Sequence, residues 1–208
     1  VLFLRRSFPD LLGTINEMIV KNEYSDQSIL RIEDDSAAQT KIYEITIGKA
    51  LYRVVNYLQN GDTQLLVQTR KDLLNLQIIT EFDGEPAVRW VVKLLSLIVE
   101  GIGAASLWFS LGKYFDISKG NINKYIRSLV YSRKPITELF ITQRDSLVKV
   151  LNPDNTGAVI SMPTSSGKTR IAEIAIVDYL EKNSSAKVLY IAPFRSLSYE
   201  VENSLSLT

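Results

Sequence analysis

Apolar positions recur along most of this chain at helical spacing. Leu11, Leu12, Ile15 and Ile19 follow Pro9-Asp10, a pair that suits the first turn of a helix. A longer stripe of Ile42, Ile45, Ala50, Leu51, Val54, Val55 and Leu58 stops at Asn60-Gly61, a C-terminal signal. Within it, Tyr43-Glu44-Ile45-Thr46-Ile47 also alternates, which leaves a strand open at that point. Asp62 offers a cap for a helix carrying Leu65, Leu66, Leu73 and Leu74. Asp83-Gly84 is a turn pair, and Pro86 fits the first turn of the next helix. That next stretch, Val88 to Leu111, is the most apolar of the chain; Arg89, Lys93 and Glu100 are its charges, and Gly101 and Gly103 interrupt it. Its uncharged runs fall short of the roughly 20 apolar residues a membrane-spanning helix needs. It predicts a buried helix broken at the glycines and no membrane span. Ser118 offers a cap for a further helix with Ile122, Ile126 and Leu129.

The pattern changes after about residue 132. Ser132-Arg133-Lys134-Pro135 reads as a linker, because the proline disfavours helix at the residue before it. Thr142-Gln143-Arg144-Asp145 matches a capping box opening a helix through Leu147, Val148, Val150 and Leu151. A turn-rich loop, 152–157, leads into the apolar run Ala158 to Ser161, then Met162-Pro163-Thr164-Ser165-Ser166-Gly167-Lys168-Thr169, then a helical stripe from Ile171 to Leu180. Lys187 to Ala192 reads as a second buried strand ended by Pro193, and Leu197 to Leu205 as another helix. Helix alternating with apolar strand predicts a parallel α/β sheet. The expected architecture is therefore a helical domain over residues 1–132 and a partial parallel-sheet domain over 133–208.

Composition narrows the chemistry more than the fold. The 208 residues are 46% hydrophobic and 23% charged with a formal net charge of +1, the profile of a soluble globular protein. Near-neutral charge leaves no footprint of strong, general attraction to nucleic acid or membrane. There is no Cys and no His, which excludes disulfides, Cys/His zinc sites and thiol or imidazole catalysis. Acid–base chemistry here would fall to carboxylates, Lys or Tyr. Lack of Cys fits a reducing, cytoplasmic setting. The chain opens on Val1, which suggests a piece of something longer.

The segment 162–169 carries the most chemistry. Strand, glycine-containing turn and helix in that order make a phosphate cradle: turn N–H groups and the positive helix end face an anion. Lys168 supplies a point charge for the outer phosphates, and the Thr169 hydroxyl can sit on Mg²⁺. The strict P-loop pattern wants glycine where Met162 stands. The flanking strand and helix supply the context that a bare Gly-Lys-Thr lacks.

Pro163-Thr164-Ser165-Ser166-Gly167-Lys168-Thr169 resembles motif I of superfamily 2 helicases of the DEAD/DEAH type. Ala192-Pro193-Phe194-Arg195-Ser196-Leu197-Ser198-Tyr199-Glu200 is similar to motif Ia, and Leu139-Phe140-Ile141-Thr142-Gln143 to the Q-motif region. The resemblance covers about Ile136 to Thr208 and implies a partial RecA-like P-loop domain. It implies ATP and Mg²⁺ as cofactors, with Pro163 to Thr169 around the triphosphate, Lys168 on its β- and γ-phosphates and Thr169 on the metal. Gln143 would read the adenine edge. Arg195 would hold the backbone of single-stranded DNA or RNA. The helical extension would contact nucleic acid or a partner protein; bacterial antiviral-defence helicases are one setting that looks similar.

The family's second acidic motif, an apolar strand ending in Asp-Glu, has no counterpart here. Ile174 to Asp178 imitates it but has helical periodicity, so Asp178 reads as a surface helix residue; Asp34-Asp35 reads as a solvated loop. The chain as given is expected to bind ATP without hydrolysing it efficiently. Two other functions stay open: a P-loop NTPase that does not act on nucleic acid, and a non-catalytic scaffold. Lys124-Tyr125-Ile126-Arg127 and Tyr131-Ser132-Arg133-Lys134 offer aromatic and basic groups for strand stacking, against a plainer reading as solvated helix face and linker.

Overall fold

The computed structural model describes residues 7–23, 35–82, 85–154, 156–163, 166–183, 185–192 and 194–206. They fold as two compact units, Val1–Gly103 and Ala104–Thr208.

In the first unit, α1 (Phe8–Glu23), α2 (Asp35–Asn60) and α3 (Thr63–Phe82) precede α4 (Pro86–Ala105), whose last turn crosses the unit boundary. α2 packs against both α1 and α3. The core takes Leu11 and Ile15, Val54, Val55 and Leu58, and Leu66 and Leu73 from the predicted stripes and adds Phe8 and Leu76, whereas the predicted Ile42 and Leu74 are exposed. Each such side chain contributes about 1.5–3 kcal/mol when fully buried. Tyr43 to Ile47 is helix, with Tyr43 buried; the alternation there is a local accident inside a 26-residue helix.

The α2–α3 corner is built locally. Gly61 N–H bonds the Tyr57 carbonyl at 2.7 Å, closing α2, and Asp62 Oδ1 accepts the Gln64 N–H at 2.9 Å, capping α3. Asp62→Ala should cost about 1 kcal/mol, the worth of an N-cap. Urea melts of the variant, with unchanged slope and a lower midpoint, would check it.

The 88–111 run departs from expectation in two ways. α4 passes unbroken through Gly101 and Gly103, and the break comes at Ser106, whose hydroxyl accepts the Phe109 N–H at 3.1 Å and caps α5 (Leu107–Leu111). Nor is α4 buried. Val92, Val99 and Gly103 are covered, whereas Trp90, Val91, Leu94 and Leu97 are exposed. A helix meets one neighbour along one stripe, and apolar residues outside that stripe stay in solvent. No helix among the described residues is long and apolar enough to cross a membrane.

The second unit holds α5, α6 (Gly120–Val130), α7 (Ile141–Val150), α8 (Lys168–Lys182) and α9 (Arg195–Ser206). α8 is its centre, touching α6, α7 and α9. The segment expected as a linker lies inside this unit. Ile136 N–H bonds Leu129, Leu107 N–H bonds Thr137 and Leu139 N–H bonds Ala105, all between 2.9 and 3.0 Å. Ser118 does not cap α6. It donates through N–H and hydroxyl to Asp116, which holds that carboxyl below the usual carboxylate range, and α6 starts after Lys119.

The α/β class is corrected. The described residues are helical, without a strand or sheet; the one bridge is an isolated antiparallel contact, Ser106 with Glu138. Ala158–Ser161 and Lys187–Ala192, read as strands of a RecA-like parallel sheet, are irregular. Val159 is 98% exposed, Leu189 and Ile191 83% each. A helix satisfies its own backbone, but a strand depends on neighbours for every hydrogen bond. These two runs make no ladder with each other, so strand-like composition produces no strand.

Candidate functional site

Gly167 makes the turn. It sits at φ +79°, ψ +39°, in left-handed conformation, as the residue before α8. There a side chain is disfavoured by its own Cβ, which only glycine lacks. Its carbonyl accepts the Arg170 N–H at 3.1 Å, starting the helix. Lys168 is thus the first residue of α8. Its Nζ donates to the Met162 carbonyl at 2.6 Å and the Pro163 carbonyl at 3.4 Å. The Ser166 hydroxyl donates to Pro163 O at 2.6 Å. Thr169 is half-buried; Thr164 and Ser165 lie outside the described residues. An exposed ammonium and a helix N-terminus, whose first amides have no intrahelical acceptor, therefore meet at one turn.

Gln143 stands against this turn, 5% exposed. α7 begins at Ile141, one residue before the expected cap at Thr142. Gln143, third in the helix, turns back so that its Oε1 accepts the Phe140 N–H at 2.9 Å. Its Nε2 donates to the Gly167 carbonyl at 3.2 Å. Oε1 has a second lone pair and Nε2 a second hydrogen, so the amide keeps donor and acceptor capacity beyond these two bonds. Gln143 ties α7 to the Gly167 turn, a role that sequence reasoning missed.

Arg195 is the first residue of α9 and exposed, next to exposed Phe194. Of the other motif Ia positions, Pro193 and the side chains of Leu197 and Glu200 lie outside the described residues. Asp178 lies on α8, as its periodicity predicts, and accepts from Lys182 at 2.8 Å. Asp34 lies outside the described residues, and Asp35 begins α2. Among the described residues no group of three acidic, His or Cys side chains is placed to hold a metal.

A second cluster was not foreseen. Tyr125 on α6 is 1% exposed, which removes it from strand stacking. Its hydroxyl donates to Glu173 Oε2 at 2.7 Å, and Arg170 Nη1 donates to Tyr125 Oη at 3.1 Å while pairing with Glu173. Burial pushes the Tyr125 phenol well above its ordinary range, so it stays a donor. Glu173 is 2% exposed. Breaking such a buried pair by removing one partner costs about 3–5 kcal/mol. The sequence signal was the spacing Arg170-x-x-Glu173 together with Tyr125 on the apolar stripe of α6.

These features match a known class. Residues 141–207 fit the family model of the DEAD/DEAH box helicases, so the superfamily 2 resemblance read from the motifs holds for this part of the chain. Over 99% of its length the chain is 35% identical to Hachiman protein HamB of Bacillus cereus, of which it covers 18%. A 72-residue stretch, 34% of this chain and 10% of the relative, is 42% identical to ATP-dependent DNA helicase Hel308 of Pyrococcus horikoshii. Another of 51 residues, 23% of this chain and 4% of the relative, is 43% identical to ATP-dependent DNA helicase MER3 of Saccharomyces cerevisiae. The chain spans less than a fifth of the length of each of these relatives.

Proposed function

We propose that this chain is part of an ATP-dependent nucleic-acid helicase or translocase. The turn 163–169 would bind Mg·ATP, and Arg195 would hold single-stranded nucleic acid. The preceding helices would form an accessory domain that contacts nucleic acid or a partner protein. The observation that carries the reading is the left-handed Gly167, which delivers Lys168 to the N-terminus of α8 inside a DEAD/DEAH segment. The donor set suits a triphosphate: an ammonium, the first amides of a helix and the Thr169 hydroxyl, with no carboxylate among residues 162–169 to repel it.

Lys168 would exchange its two carbonyl acceptors for phosphate oxygens, which charge favours. Gln143 would keep the turn in place while its remaining donor and acceptor face the base. Bound Mg²⁺ would neutralise phosphate charge, and Thr169 is the residue to hold it. Two relatives are named as DNA helicases, which supports DNA as the strand.

The test is ATP turnover by the full-length protein that contains this chain, with and without single-stranded DNA or RNA. Stimulation by a strand supports the reading; turnover indifferent to strands favours a P-loop NTPase acting elsewhere, and no nucleotide binding favours a scaffold. Arg195→Ala should weaken strand binding for all sequences alike. Its log–log salt slope should fall by about 0.7, the loss of one single-strand phosphate contact. A fluorescence anisotropy series in salt reads this directly.

A further inference from the structure

Helix α6 is fastened to α8 at two places. Near the start of α6, the Asn121 N–H bonds Glu181 Oε2 at 2.7 Å, in the last turn of α8. The approach is so close that a Cβ on Gly120 would overlap the Glu181 carboxylate. One turn further along α6, Tyr125 meets Arg170 and Glu173 near the beginning of α8. The two helices therefore run antiparallel, with polar pins that set both register and rotation. Apolar contacts alone, such as those of Ile122, Ile126, Ile171 and Ile174, are non-directional and leave a helix free to slide.

Arg170 joins this fastening to the phosphate turn. Its side chain reaches Tyr125 and Glu173, and its N–H bonds the Gly167 carbonyl. That same carbonyl accepts Gln143 Nε2 from α7. Lys168 and Thr169 lie between the two anchored residues, Gly167 and Arg170. Their placement is accordingly held from α6 on one side and α7 on the other.

We propose that Tyr125, Arg170 and Glu173 are positioning residues for the phosphate turn: through them α6 fixes the first turn of α8, and with it Lys168 and Thr169. The inference rests on the phosphate-site reading above. It makes α6 a working part of the nucleotide-binding unit.

The test is Mg·ATP binding by the intact protein, titrated with a fluorescent ATP analogue, with thermal melting on the same samples. Tyr125→Phe removes one hydroxyl and leaves the Arg170–Glu173 pair. It should raise the Kd about three- to tenfold, the size of one coupled hydrogen bond, at temperatures where it is fully folded. Glu173→Gln should act in the same direction, and the double variant should fall short of the product of the two, because both act on one network. Leu111→Val, in the buried part of α5, should lower the melting temperature and leave the Kd unchanged. Unchanged affinity in both single variants, with Lys168→Ala weakening binding strongly, would overturn the positioning role and leave the phosphate site standing. So would a Kd shift that Leu111→Val reproduces. Failure of the unaltered protein to bind Mg·ATP would remove both.

Discussion

Lys168→Ala should abolish strand-stimulated ATP turnover and weaken Mg·ATP binding by about a hundredfold, while the fold survives. The size follows from the bonds lost. A charge-assisted hydrogen bond contributes about 1.5–3 kcal/mol, and an ammonium on the outer phosphates makes at least one and commonly two. The structural cost is small because Lys168 is exposed. Its present acceptors are the main-chain carbonyls of half-buried Met162 and exposed Pro163. Circular dichroism and melting should place the variant within about 0.5 kcal/mol of the unaltered protein, as for most surface substitutions. Nucleotide titration and a turnover assay complete the measurement. Undiminished turnover in a folded variant would sink the phosphate-cradle assignment.

Gly167→Ala is expected to be nearly as damaging, for a different reason. Left-handed backbone costs a residue with a Cβ about 1–2 kcal/mol. The added methyl would also overlap Gln143 Nε2, so the amide must leave. Its bonds to Gly167 O and Phe140 N go with it, at about 1 kcal/mol each. The total of about 3–4 kcal/mol corresponds to a melting drop of ten degrees or more in a unit of this size, by the roughly 4–8 °C per kcal/mol of small domains. Nucleotide binding should be lost as well, since Lys168 follows the displaced residue. The contact can be isolated with Gln143→Ala. In that background the clash is gone, and Gly167→Ala should cost only the backbone term. Strictly additive effects would show that the two residues do not meet.

Much of the helical framework was readable in advance because its causes are local. Leu11 and Ile15 lie one turn apart, and Asn60-Gly61-Asp62 holds both the stop of α2 and the cap of α3 within three residues. The turn before α8 was readable for the same reason: its left-handed glycine and the helix start are carried by neighbours in sequence. Gln143 was picked out by motif, yet its contact with Gly167, 24 residues away, was not visible. The Tyr125–Glu173 bond spans 48 residues; the Arg170-x-x-Glu173 spacing announces a pair within α8, but nothing in it points to Tyr125. The apolar runs at 158–161 and 187–192 misled because strand composition states a preference, while a strand needs a partner. The run at 88–111 misled because apolarity states what burial would be worth and not whether a neighbour is there to provide it.

The amino-acid sequence by itself determined most of the helices, the cap and stop at the α2–α3 corner, and the motif set that places residues 141–207 with the DEAD/DEAH box helicases. These rest on interactions between residues up to four apart, or on short patterns. Only the tertiary structure decided which apolar faces are covered, which extended runs go unpaired, and which helices hold the turn before α8. Burial and cross-element hydrogen bonds join groups dozens of residues apart, and their energies exist only once the chain has brought those groups together.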